Sequence, residues 1–205
     1  MDTLTAPRPV VTALLAPAVA APPREMGRRL AVSHRAGRRD RRVLRWWADP
    51  PVGAPRWDAL VTALSGSGPR SGVELAVALA RQRDELVALD DLVEPARSMQ
   101  SCPHPVDPGH DLAAVLHDAL ALDPSRSRQL VAAYRAAGGP GTVDRPGSFS
   151  LAIVRHGRAL EAAVEGWLRA GTTTERARRA RVVEGLLQSR PTRPGIDRVL
   201  AALAG

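Results

Sequence analysis

This chain of 205 residues predicts an all-α fold, an irregular helical bundle, and three features of its sequence predict it. Aromatic residues make up only 3% of a chain that is 44% hydrophobic, so alanine, leucine and valine must fill the core. Such a composition suits packed helices better than sheets. Apolar residues recur at three- and four-residue steps between proline and glycine breaks. No two strand-like stretches flank a turn sequence, and no internal repeat is present.

In chain order, residues 1–23 read as an N-terminal arm, flexible or loosely packed. They carry an Ala18-Val19-Ala20 triplet of the kind a secretory signal uses. Asp2 and the interrupting Pro7, Pro9 and Pro17 speak against that use. Residues 24–205 then form the helical body. From Arg24 to Trp47 one helix is predicted, with Met26, Leu30, Val43 and Leu44 on its apolar side; nine arginines in this stretch face only Glu25 and Asp40. "ADPPVGAP" is a loop, and Trp57 to Leu64 a short helix ended by "SGSGPRSG". Ser71 and Glu74 form an S-x-x-E capping box, followed by Leu75, Leu79, Leu86, Leu89 and Val93 at helical spacing.

Pro108 opens the next helix, whose Leu112, Val115, Leu116, Ala119 and Leu120 share a face. Another starts near Asp123-Pro124 and stops at Gly138-Gly139. "RPGSFSLAIVRHGRALEAAVEGWL" reads as one long helix with Leu151, Val154, Leu160, Val164, Trp167 and Leu168 for the core. Thr172 and Glu175 offer a second capping box, ahead of Val182, Val183, Leu186 and Leu187 facing inward. A last short helix starts at Pro194.

A formal charge of +8 invites a polyanionic partner. All 29 basic residues are arginine, however, and lysine and asparagine are absent, which is also what a GC-rich coding bias produces. Arg28, Arg29, Arg35, Arg38, Arg39, Arg41 and Arg42, close to Trp46 and Trp47, are the candidates for contacting a nucleic acid. A second cluster, Arg176, Arg178, Arg179 and Arg181, reads as a solvated helix face. Cys102 is the only cysteine, so no internal disulfide forms and a cytoplasmic location is expected. No apolar run approaches the roughly 20 residues a membrane helix needs.

"MQSCPHPVDPGHDLAAVL", residues 99–116, gathers Cys102, His104, Asp107, His110 and Asp111, all of them metal-ligand types. The spacing matches neither a C-x-x-C pair nor an H-E-x-x-H helix, and neighbouring His110 and Asp111 diverge. A Cys102–His104 thiolate pair lacks an orienting third group. The reading is a solvated loop with a buried cysteine and no metal site.

Three blocks, "MGRRLAVSHRAGRR", "DPPVGAPRWDALV" and "LARQRDELVALDDLVEPARSMQSC", resemble the front of the helical lobe of the aminoglycoside phosphotransferase family. "DPGHDLAAVLHDAL", "LVAAYRAAGGPG" and "RPGSFSLAI" resemble the part of those proteins that lies beyond the metal-binding motif. The likeness runs over roughly residues 26–205. It implies the C-terminal lobe of a protein-kinase-like phosphotransferase without its N-terminal β lobe, in a family that uses ATP and magnesium to phosphorylate a small-molecule hydroxyl. After the corresponding cysteine, active relatives carry H-R-D-L, an asparagine and a metal-binding aspartate. Here Pro103-His104-Pro105-Val106 leads straight into Asp107. His104 stands near the family's catalytic-loop histidine. Asp107 and Asp111 match positions at the next helix start, and the catalytic aspartate and asparagine have no counterpart.

Phosphoryl transfer depends on positioning and on metal-held charge, so this loss implies an inactive, degenerate member of the family. No ATP, magnesium or other cofactor is expected in the chain, and it would serve at most as a ligand- or protein-binding module. Asp84, Glu85, Asp90, Asp91 and Glu94 are expected on the polar face of a solvated helix. Missing central strands would expose apolar faces, which makes self-association a further expectation. The alternatives are an arginine-rich helical nucleic-acid-binding protein and an active small-molecule kinase with relocated motifs.

Overall fold

The computed structural model describes residues 21–36, 50–94 and 107–205. Among these residues there are eight α-helices and one 3-10 turn, and no strand. Most of the expected N-terminal arm, the segment from Gly37 to Asp49, and Cys102 and His104 lie outside them.

Helix α1 (Pro23–Arg35) has proline in its first turn beside Glu25, and His34 and Arg35 in its last, an order that suits the helix dipole. The helix expected to run to Trp47 ends here, with Ala36 as its C-cap. Helix α2 (Ala54–Ser65) comes after Gly53 and buries Trp57, Leu60 and Leu64. Helix α3 (Arg70–Asp90) begins before the anticipated capping box. Pro69 is the N-cap residue and no side chain caps the end. Ser71 is therefore a helical residue, and Glu74 turns to Arg70 at 3.0 Å rather than to the backbone. A proline that cannot follow a helical residue moved the start two positions upstream.

Helix α4 (Pro108–Asp118) is capped by Asp107, whose carboxylate accepts the Gly109 N–H at 2.7 Å. The expected single apolar face is too narrow a description. Leu112, Ala113, Ala114, Val115 and Leu116 are all buried, so α4 is a central helix covered on all sides. Ala121 and Leu122 take left-handed conformations (φ 49° and 58°) in the turn after it, and Leu122 is buried in the core despite the strain. Helix α5 (Pro124–Ala136) is capped by Asp123, which accepts the Arg126 N–H at 2.7 Å.

The long helix expected from Pro146 divides into a 3-10 turn (Pro146–Phe149) and helix α6 (Ser150–Leu168). Ser150 Oγ donates to the Gly147 carbonyl and accepts the Glu94 N–H, pinning the junction. Helix α7 (Thr173–Gln188) carries the cap its sequence promised: Thr172 Oγ1 accepts the Glu175 N–H at 3.2 Å. Val183 and Leu187 face inward, but Val182 is 45% exposed, since it and Val183 lie about 100° apart on the helix. Helix α8 (Arg193–Ala204) closes the chain, with Thr192 as its cap.

Two apolar clusters share the interior. Met26, Ala31, Leu112, Val115, Leu116, Leu130, Tyr134, Phe149, Ile196 and Val199 belong to one, built from α1, α4, α5, the 3-10 turn and α8. The other joins Trp57, Leu64, Leu79, Leu160, Trp167, Val183 and Leu187 from α2, α3, α6 and α7. Helices α3 and α6 contribute to both, through Leu89 and Ile153 on one side and Leu79 and Leu160 on the other. No described helix is long and apolar enough to cross a membrane.

Candidate functional site

The segment "AAGGPG", residues 136–141, builds the first polar cluster. After α5, Gly138 adopts φ +72°, a conformation that turns the backbone at little steric cost. Gly139 then passes so close to the Tyr134 ring that a Cβ there would lie inside it. This brings Gly141 over the ring edge, where its N–H donates to the Tyr134 hydroxyl at 2.9 Å. The hydroxyl's single hydrogen is free for His34 Nδ1, 2.7 Å away at the end of α1. The other ring nitrogen, Nε2, faces Asp111 Oδ2 on α4, 3.5 Å away. Burial pushes the Tyr134 phenol up, with the nearby Asp111 and Asp107 carboxylates adding to the shift. Tyr134 thus remains a neutral hydrogen-bonding group. His34, Tyr134 and Asp111 tie three helices together, and both ring nitrogens and the hydroxyl have protein partners.

A second polar cluster lies between α4, α6 and α7. His117 Nδ1 meets Asp118 Oδ1 at 2.9 Å, and Nε2 meets the Ser189 carbonyl at 3.1 Å. The ring is thus held at both nitrogens, by a carboxylate on its own helix and by the backbone at the end of α7. Arg155 pairs with Asp118 Oδ2. Burial would push the Asp118 carboxyl up, but the hydrogen bond from His117 and the charge of Arg155 hold it below the usual range. The His156 ring packs edge-on to His117, with centroids 5.8 Å apart. Burial, reinforced by the charge of His117, pushes its pKa down to about 3, so this ring is neutral.

Three of the five carboxylates expected on a solvated face, Glu85, Asp90 and Glu94, serve as joints instead, while Asp84 and Asp91 are exposed. Asp90 Oδ2 accepts the Gly53 N–H at 2.9 Å and Trp57 Nε1 at 3.1 Å, locking α2 to the end of α3. Glu85 pairs with Arg190, and Glu94 with Arg145. Asp84 is exposed beside Arg83, as expected of a solvated residue. Sequence spacing could not anticipate these partners, because Asp90 meets Gly53 37 positions away and Glu85 meets Arg190 105 positions away.

The metal-ligand types of residues 102–111 are not brought together where they are described. Asp107 caps α4, Asp111 turns to His34, and His110 is buried, its pKa lowered by that burial. Among the described residues no group of three or more histidine, cysteine, aspartate or glutamate side chains is placed to hold a metal. His34 and Tyr134 were missed by sequence reasoning. The glycine pair after "YRAA" was the available signal, since chain that closes over an aromatic ring needs small residues.

The remaining feature is electrostatic. Helices α1 and α5 pack together where Gly27 of α1 abuts the Leu130 carbonyl, closer than a Cβ would allow. Arg28 and Arg29 both pair with Glu25, the only acid on α1, and α5 contains no acid at all. Arg24, Arg35, Arg126, Arg128 and Arg135 are exposed and have no carboxylate partner among the described residues. Elsewhere, Arg56, Arg83, Arg145, Arg155, Arg158 and Arg190 reach carboxylates, whereas Arg81, Arg178, Arg181 and Arg198 are also exposed without one among the described residues but lie dispersed over α3, α7 and α8. Arg38, Arg39, Arg41 and Arg42 lie outside the described residues.

Compared with protein-family models, curated proteins and solved structures, the chain matches none. The likeness to aminoglycoside phosphotransferases therefore rests on the quoted sequence blocks alone.

Proposed function

We propose that this chain is a non-catalytic helical binding module whose ligand-facing surface is the exposed side of the α1–α5 pair. The observation that carries this reading is the set of five arginines on that pair without a carboxylate partner among the described residues. Unpaired guanidinium groups kept together in water are free to meet an anion, whereas those locked in ion pairs must first be released. The polar groups best suited to chemistry are engaged in structure: His34 and Tyr134 with each other, Asp118 with His117 and Arg155. A degenerate phosphotransferase lobe fits the same reading, because loss of the family's catalytic aspartate and asparagine removes transfer and leaves the helical surface.

Isothermal titration with magnesium-ATP tests this. The expected result is no metal-dependent heat at micromolar protein. Metal-dependent micromolar binding, followed by phosphate transfer to any hydroxyl acceptor, would return the chain to the kinases.

A further inference from the structure

We infer that the partner of the α1–α5 surface is a nucleic-acid backbone, with a phosphate seated in the groove between Arg24 and Arg128; this rests on the binding-module reading and gives it a ligand class. A shallow groove of about 410 Å³ runs along α5, lined by Arg24 from α1 and by Arg128, Gln129, Ala132, Ala133 and Ala136. Three of its six lining residues are alanines, which leave room for an incoming oxyanion. Its walls carry two guanidinium groups and an amide, all hydrogen-bond donors suited to phosphate oxygens.

The charge also has length. Gly27 lies beside Leu130 and Arg35 beside Gly138, so the two helices run in the same direction. Arg35 comes three turns after Arg24, roughly 16 Å along α1, and Arg135 comes two turns after Arg128, roughly 10 Å along α5. A nucleic-acid strand presents a phosphate about every 3.4 Å of helix axis, so the α1 separation spans about five phosphates. A membrane surface fits less well, because helices that bind bilayers insert large apolar side chains. On this pair only Val32 is both large and exposed.

Fluorescence anisotropy with labelled duplex DNA and with single-stranded RNA, at 50 to 200 mM salt, tests the inference. Wild-type protein should bind at least one of them, with affinity falling steeply as salt rises. The Arg24→Ala/Arg128→Ala double variant should bind about tenfold or more weakly and lose roughly one unit of salt slope per arginine removed. Both residues are exposed and have no carboxylate partner among the described residues, so its melting curve should match wild type. Arg81→Ala, on an exposed position of α3, should bind as wild type does.

Equal binding and equal slope for the double variant would overturn the groove while leaving a nucleic-acid partner. Wild-type protein that ignores both nucleic acids at 50 mM salt would overturn the partner, whether or not it binds phosphatidylserine vesicles or polyglutamate run in parallel. Neither outcome touches the magnesium-ATP titration, which alone decides the catalytic question.

Discussion

The Tyr134 hydroxyl hydrogen-bonds His34 Nδ1 at 2.7 Å while accepting the Gly141 N–H at 2.9 Å. One oxygen thus links the end of α1 to the chain that leaves α5. Tyr134→Phe keeps the ring and removes that oxygen, leaving the Gly141 N–H without its acceptor and His34 Nδ1 without its partner. A buried polar group that loses its partner costs about 1–3 kcal/mol. Urea denaturation should show a loss in that range with an unchanged m-value; a variant as stable as wild type would show the linkage to be incidental.

The two S/T-x-x-E sequences separate a real cap from an apparent one. Thr172 accepts the Glu175 N–H, whereas Ser71 is a helical residue behind an uncapped Pro69. Thr172→Ala should cost about 1 kcal/mol, the usual loss for a threonine cap. Ser71→Ala should be neutral or slightly stabilising, because alanine is the better helix former. Thermal melts of the two single variants side by side distinguish these outcomes.

The features legible in the sequence were local. Helix starts with Asp-Pro or Thr-x-x-Glu could be read directly, because Asp107, Asp123 and Thr172 act on backbone two or three residues away. The leucines of α3 could be read because their period is the helix's own. The Ser71 start failed because Pro69, a local restraint of equal strength, competes for the same end. The polar clusters were illegible for another reason. His34 and Tyr134 are 100 residues apart, and Asp118 and Arg155 are 37 apart. Nothing within a helical window distinguishes a carboxylate bound for solvent from one bound for a distant guanidinium. The arginine surface was half visible: α1 announced itself, but the α5 arginines gained meaning only once α5 was seen to lie alongside.

His156 carries a pH dependence whose sign is set by its burial. Its folded pKa, about 3, lies below the ordinary value of 6.5. The unfolded chain therefore takes up a proton below pH 6.5 that the folded chain refuses until about pH 3. Its contribution to stability is full above pH 6.5 and is lost as pH falls toward 3, at about 1.4 kcal/mol per pH unit within that window. Asp118, Arg155 and His117 face the same ring, and Asp118, with its lowered pKa, is lost at the acidic end in the same direction. His156→Gln retains an N–H donor but cannot titrate. Subtracting its denaturation profile from that of wild type between pH 7 and 4.5 isolates the histidine. A slope difference near one proton is expected, and parallel profiles would mean that the ring is solvated.

Gly27 and Gly185 are both helical glycines, and their surroundings predict opposite responses to alanine. A Cβ at Gly27 would press into the Leu130 carbonyl oxygen and lie 3.0 Å from the Tyr134 nitrogen. Backbone cannot swing aside as a flexible side chain does, so α1 would have to lift from α5. The gain in helix propensity, about 1 kcal/mol, is smaller than the overpacking cost, and a net loss of about 1–2 kcal/mol is expected. At Gly185, in the exposed last part of α7, a Cβ would meet nothing within 4 Å. Alanine there should stabilise by about 0.5–1 kcal/mol through its backbone preference alone. Melting temperatures that move in opposite directions would confirm that close α1–α5 approach, which also sets the distance between Arg24 and Arg128, depends on the missing methyl at Gly27. If both variants were stabilised, α1 would be too loosely seated to hold that groove.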